Sequence, residues 1–212
     1  MSLGYALLLL VPLASFGANS PDTAHCACNN TADIGVKKVE NPDTPEGFQF
    51  VGAINGEDVV TKKSAETQIS HAERATVIVF LSAKCPCSAS HEAVIKRLFL
   101  EYSFHGIQFV GIHSNIDEPY DVTRTHFEQT ALPFSVIQDR SNQFADTFSA
   151  LKTPHVFVLN PKGVPLYQGG IDDSHNEGEA NKHYLKDALD EIASGKEPSR
   201  KMARTLGCMI KR

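Results

Sequence analysis

A chain of 212 residues, 42% hydrophobic and 21% charged, suits one ordinary domain with tails and a core that needs no staples. A net charge of -5, no tryptophan and no basic stripe interleaved with aromatics exclude a nucleic-acid footprint. The five cysteines, Cys26, Cys28, Cys85, Cys87 and Cys208, are too few and too clustered for a disulfide framework, and their odd number points to redox or metal chemistry.

The chain opens on an apolar run, Leu3 to Leu13, which has the length of a signal-peptide core and is too short to span a bilayer. Ser15 and Gly17 supply the small residues of a cleavage site, although no Lys or Arg precedes the run. Residues 1–17 are therefore read as an export signal, which implies a periplasmic or secreted protein in an oxidising compartment. An uncleaved signal is the one membrane attachment expected. Residues 18–46, rich in Asn, Asp, Thr and Pro, read as a flexible linker. They carry His25-Cys26-Ala27-Cys28, which is either an accessory thiol pair or soft-metal site, or a tail with incidental thiols.

From Gly47 to Val60 the pattern alternates weakly, and Asn55-Gly56 predicts a hairpin turn. Ala65 to Arg74 reads as a helix or helical turn. Thr76 to Leu81 is a continuous apolar, β-branched run, the signature of a strand buried on both faces. A helix is predicted from Pro86 to about Phe104, where Ala89, Ala93, Val94, Leu98 and Tyr102 recur at helical spacing. Pro86 fits its first turn, and His105-Gly106 ends it. Ile107 to His113 is a second strand, followed by a polar loop over Asn115 to Tyr120. A helix over Val122 to Thr130, a strand over Ser135 to Gln138 and a short helix over Asn142 to Phe148 come next. Strands over His155 to Leu159 and Val164 to Gln168 flank a turn at Asn160 to Gly163. An amphipathic helix runs from Ala180 to Ser194, and residues 196–212 form a basic tail carrying Cys208. This alternation predicts an α/β domain over residues 47–195, with a mixed central sheet and helices on both faces.

Cys85-Pro86-Cys87 falls at the junction of the buried strand and its helix. A helix N-terminus carries partial positive charge and unpaired N–H groups, which favour a thiolate. Lys84 adds a formal charge. Cys85 is expected at the cap, facing solvent, with a lowered pKa. Residues i and i+2 diverge on a helix, so a Cys85–Cys87 disulfide would be strained or would unwind the first turn. Cys208 is the alternative partner.

The strand, Cys-Pro-Cys and helix order resembles the active site of the thioredoxin-like superfamily. Lys152-Thr153-Pro154-His155 with Asn160-Pro161-Lys162-Gly163 resembles the Thr-Pro, strand and turn element of redoxin (AhpC/TSA-type, peroxiredoxin-like) proteins. Tyr167 to Asp173 and Gly207-Cys208-Met209-Ile210-Lys211 resemble the same subgroup, so the likeness covers roughly Gly47 to Lys211. It implies a thioredoxin-like fold, a cis Pro154 beside the thiols, and a thiol–disulfide oxidoreductase acting on protein thiols or disulfides without a cofactor. The catalytic set it implies is Cys85, Cys87, Pro154 and Cys208, with Cys85 attacking and Cys87 or Cys208 resolving.

The sequence also departs from these patterns. Thioredoxins use Cys-x-x-Cys. Ile78 stands where peroxiredoxins place a proline, which bears against thiol peroxidase activity, the first alternative. No acidic residue in Thr76 to Leu81 supplies a buried proton-transfer carboxylate. The second alternative is Cu(I) binding by Cys85, Cys87 and His155, as in Sco-like copper chaperones, which use Cys-x-x-x-Cys. His91 and His113 are further histidines expected near the site. The third is a non-catalytic interaction domain that kept the fold.

Overall fold

Residues 35–38 and 48–212 are described in the structure, a computed structural model. The predicted signal and the Cys26–Cys28 pair lie outside these residues. The centre is a five-stranded mixed sheet in the order β10-β9-β5-β6-β7. Its strands are β5 (Ala75–Phe80), β6 (Ile107–His113), β7 (Val136–Gln138), β9 (His155–Leu159) and β10 (Pro165–Gly169). β5 runs parallel to β6, and β6 to β7, whereas β9 is antiparallel to both β5 and β10. All of β5 is buried, as its unbroken apolar run requires of a central strand covered on both faces.

The strand period of two divides the core. Val77 and Val79 pack with Val156 and Val158 against α1 (Pro86–Tyr102), α2 (Tyr120–Thr130) and α4 (Tyr184–Ala193), through Ile95, Leu98, Phe127, Leu185 and Leu189. Ile78 and Phe80 pack on the other face with Phe157, Phe50, Ile54, and Phe144 and Phe148 of and beside α3 (Gln143–Thr147). The expected α/β architecture with helices on both faces is the one found.

Several local expectations differ. Gly35–Lys38, inside the segment read as linker, is strand β1, paired antiparallel with β2 (Phe48–Val51). Asn55-Gly56 is not a turn but part of β3 (Ala53–Glu57), which pairs with β4 (Ser64–Gln68). The chain reverses over 58–63, where the Asp58 carboxylate accepts the N–H groups of Val60 (3.2 Å) and Thr61 (2.7 Å). Gly56 serves a close approach instead: a Cβ there would lie 2.7 Å from the Ile137 side chain. Ala65 to Arg74, read as helical, is β4 followed by one tight turn, Ile69–His71, because Ile69 is drawn into the core. The last helix begins at Tyr184 rather than Ala180, since the Asp173 carboxylate takes the Asn181 and Lys182 N–H groups at 2.8 and 3.0 Å and holds them as a loop.

The C-terminal segment is not a free tail. It runs beside the outer edge of β10, where the Gln168 N–H donates to the Lys201 carbonyl and the Gln168 carbonyl accepts the Ala203 N–H, both at 3.0 Å. It then forms β11 (Cys208–Met209), antiparallel to β8 (Lys152–Thr153), with Cys208 opposite Thr153. Ile210 is buried in the second core, and Arg212 binds Asp146 at 2.8 Å and the Ala150 carbonyl at 2.7 Å. Gly207, at φ +140°, permits this seat, because a Cβ would sit 2.0 Å from the Thr153 oxygen.

Two loops are locked beneath the cysteine motif by Glu118. Its carboxylate is buried and accepts bonds from the Ser82 hydroxyl, the Ala83 and Lys84 N–H groups (2.8 and 3.3 Å), Asn115 Nδ2 (2.5 Å) and His113 Nε2 (3.1 Å). Gln138 donates to His113 Nδ1 at 3.1 Å, which leaves Nε2 as the nitrogen carrying hydrogen. Burial opposes ionisation, but the bonds from His113, Ser82 and Asn115 outweigh it and hold the Glu118 carboxyl down at about 2.

Two predictions follow from this packing. Gly207→Ala should cost about 1–3 kcal/mol in urea unfolding and speed amide hydrogen exchange over residues 208–210; unchanged exchange would contradict the seat described. Because folding depresses the Glu118 pKa, its contribution is complete above the ordinary value of 4.5 and is lost as pH falls through about 2. Between about pH 5 and 2 the wild type should therefore lose on the order of 3 kcal/mol more stability than Glu118→Gln, read from urea unfolding at each pH.

Candidate functional site

The sequence builds the site at the exit of β5. Buried apolar residues fix the strand, and Pro86, with no N–H to leave unpaired, starts α1. Cys85 is the N-cap residue of α1, in extended conformation. Its N–H donates to the Ser82 hydroxyl at 3.0 Å, and its thiol lies 3.0 Å from the Thr153 carbonyl oxygen. Only 2% of the residue is exposed, so the expectation that Cys85 faces solvent is corrected. Cys208 on β11 stands opposite Thr153, the residue whose carbonyl the Cys85 thiol meets, which places the two cysteines on either side of it. The Thr153–Pro154 bond is cis, as the resemblance implied.

The two thiols titrate as a pair with opposite tendencies. Burial disfavours the Cys85 thiolate, but the polar surroundings supplied by Cys208, Thr153 and Ser88 outweigh it and lower its pKa. The Thr153 hydroxyl is buried without a hydrogen-bond partner. Cys208 pays the converse: burial of its thiol, and the hydrogen bond and charge it shares with Cys85, push it up to about 12 although the residue as a whole is exposed. The Cys87 thiol is raised too, first by burial and then by the charge of Cys85.

Cys87 is half-buried, and its sulfur lies 3.3 Å from His175 Nδ1. His175 comes from the loop after β10. That loop is tied to the first turn of α1 by His91, whose Nδ1 donates to the Cys87 carbonyl at 2.6 Å and whose Nε2 lies 3.0 Å from Asp172. Asp172 in turn accepts the Ser174 N–H at 2.9 Å. His91 thus meets the backbone of the motif rather than a sulfur.

The structure brings together Cys85, Cys87, Cys208 and Thr153–Pro154, and separates His155 from them. As a strand residue it shares a face with Phe157, on which its ring packs at 4.5 Å between centroids. It lines a cleft of about 250 Å³ with Phe148, Gln168 and Met202. Burial lowers its pKa to about 4, and its Nδ1 has no partner. The candidate copper set Cys85, Cys87 and His155 is therefore not assembled: the imidazole at a thiol is that of His175. Among the described residues no group of three or more His, Cys, Asp or Glu side chains is arranged to hold a metal ion. His113 lies under the site and serves Glu118. Glu118, His175 and Thr153 escaped the sequence reading. Only Thr153 carried a signal, its place before Pro154.

A search of the curated proteins returned no match. Among solved structures, an uncharacterized conserved protein from Geobacillus kaustophilus aligns over 76% of this chain and 92% of its own, at 23% identity and a TM-score of 0.68. A hypothetical protein from Sinorhizobium meliloti 1021 aligns over 76% and 93%, at 20% identity and a TM-score of 0.67. The thioredoxin domain of a thiol-disulfide oxidoreductase from Bacteroides vulgatus aligns over 55% and 82%, at 14% identity and a TM-score of 0.47. The fold is the thioredoxin-like one expected, the Redoxin family model matches residues 35–183, and the chain therefore belongs to the Redoxin family.

Proposed function

We propose that the protein is an exported thiol–disulfide oxidoreductase whose working pair is Cys85 and Cys208, acting on protein thiols and disulfides without a cofactor. The observation that carries this is the seating of β11: it lays Cys208 against a buried Cys85 whose thiolate is favoured. Cys87 points along the helix to His175 and is the lesser candidate for the pair.

The chemistry follows from the unlike environments of the two sulfurs. In the oxidised protein they share a disulfide. A partner thiolate attacks the sulfur of Cys208, the exposed residue of the pair; a partner–Cys208 bond forms, the Cys85–Cys208 bond breaks, and Cys85 leaves as a thiolate. Low-pKa thiols leave fastest, so this is the favoured direction of cleavage. A second thiolate of the partner attacks the mixed disulfide, the partner's own disulfide forms, and Cys208 takes up a proton. The partner loses two electrons and the pair gains two. Stabilising the reduced form through the Cys85 thiolate makes the pair oxidising. The reverse path reduces a partner disulfide by the same intermediates. Cys85 is then the attacking thiolate on the Cys208 mixed disulfide.

Export, as the sequence of residues 1–17 is read, fits a disulfide-forming role. Among the described residues no helix is long and apolar enough to cross a membrane.

Non-reducing peptide mapping of the glutathione-oxidised protein should recover a Cys85–Cys208 bridge. Oxidation of a reduced peptide dithiol should fall at least about 100-fold in Cys85→Ser and Cys208→Ser, and less than about threefold in Cys87→Ser. A Cys85–Cys87 bridge with an active Cys208→Ser variant would reject this pairing. Iodoacetamide pH profiles give a separate measure: Cys85 should titrate below the ordinary thiol value of 9.0, and Cys208→Ala should raise it by removing a hydrogen-bond donor.

A further inference from the structure

Two hydrogen-bond chains leave the Glu118 carboxylate in opposite directions. One runs through the Ser82 hydroxyl, which donates to Glu118 and accepts the Cys85 N–H at 3.0 Å, with the Ala83 and Lys84 N–H groups fixed alongside. The other runs through Asn115, whose Nδ2 donates to Glu118 at 2.5 Å and whose Oδ1 accepts the Lys211 N–H at 3.2 Å. Lys211 lies three residues beyond Cys208, and its carbonyl accepts the Ile116 N–H at 3.1 Å. The first chain ends at the N-cap cysteine and the second at Lys211, two residues beyond the strand that carries its partner.

We propose that Glu118 is a positioning residue for thiol exchange, its one carboxylate holding Cys85 and Cys208 in place against each other. This rests on the exchange reading above and gives it a part that touches neither sulfur. Exchange between two thiols of one protein depends on how closely their sulfurs are held, which is measured as an effective concentration. A buried side chain branching to both arms sets that quantity. The amide of Glu118→Gln cannot reproduce it. It offers one acceptor oxygen, and it turns a donor toward positions where Ala83, Lys84 or His113 already donate. The other ionisable groups about these arms are accounted for. His113 donates to Glu118, Lys84 Nζ donates to the Asp117 carbonyl at 3.2 Å, and Cys87 faces His175. A purely electrostatic role predicts a different result. Removing the negative charge would ease ionisation of Cys208 and leave the sulfurs equally close.

The experiment is a redox titration of the full chain against glutathione and its disulfide, in which two protein thiols are oxidised as one glutathione disulfide becomes two glutathiones. Iodoacetamide profiles are taken in parallel. In Glu118→Gln the effective concentration of Cys208 toward Cys85 should fall about tenfold. In Asn115→Ala, which cuts only the arm to Lys211, it should fall severalfold. The double variant should fall no further than Glu118→Gln, because both lie on one chain. The effective concentration compares two folded redox states, so a uniform loss of stability does not move it. An unchanged value in folded Glu118→Gln, or additive losses in the double variant, overturns the proposal. If Glu118→Gln does not fold, an unchanged value in Asn115→Ala overturns it. Wild-type protein that forms no Cys85–Cys208 bridge overturns the exchange reading and this one together, whereas a bridge indifferent to both variants overturns this one alone.

Discussion

A carboxylate taken out of water must be surrounded by donors or give up its charge. Glu118 is the point at which this rule organises the molecule. Its donors come from the loop after β5, the end of β6 and the loop that follows, so one buried charge fixes three stretches of chain that the sheet alone would leave to wander. The motif loop has no regular backbone pairing of its own between Phe80 and Pro86. Its N–H groups are satisfied by Glu118, by the Ser88 hydroxyl at 3.1 Å from Ser82 N, and by the Ile112 carbonyl at 2.8 Å from Leu81 N. The sulfur at the helix start is placed by this satisfied loop rather than by the helix.

Around that placement the three thiols are unequal for a simple reason. Sulfurs that touch cannot all be thiolates, because each negative charge raises the cost of the next. The proton leaves the one with the most donors. Cys85 has the polar surroundings that favour it, from Cys208, Thr153 and Ser88, and these outweigh its burial. Cys87 and Cys208 feel that charge without the same support, and both are raised. The thiol pKa is thus lowered at the most buried of the three residues and raised at the two more exposed ones. This reverses the expectation that solvent access and thiolate character go together.

The elements set by local chemistry were legible in the sequence. The run Thr76 to Leu81, Pro86 at the helix start, Gly106 after it and the Asn160 to Gly163 turn each behave as their residue types dictate. Interactions that join distant residues were not. Ser82 meets Glu118, Cys87 meets His175 and Cys85 meets Cys208 only because the sheet folds them together. A single acid in a polar loop, or a histidine in a loop of Asp and Asn, carries no mark that it will be chosen. Asn55-Gly56 misled because its glycine answers to the Ile137 side chain rather than to a turn. His155 was readable in principle. On a strand it must share the face of Phe157, and that face is turned into the second core, away from the side on which Val156 meets α1 and α4. Proximity to Pro154 in sequence was a poorer guide than the period of two.

The single residue between Cys85 and Cys87 has a structural consequence. The N-cap residue and the second residue of a helix diverge, and here the second is turned to His175. The partner proposed for Cys85 comes from the far end of the chain instead. A dithiol carried within one helical turn is assembled as soon as the turn forms. A dithiol split between α1 and β11 exists only once the C-terminal segment has paired with β8, buried Ile210 and engaged Arg212. The proposed pair is therefore completed by tertiary structure. The chemistry of Cys85 becomes a property of the whole domain, and a chain whose last strand is unseated holds a nucleophile without its partner.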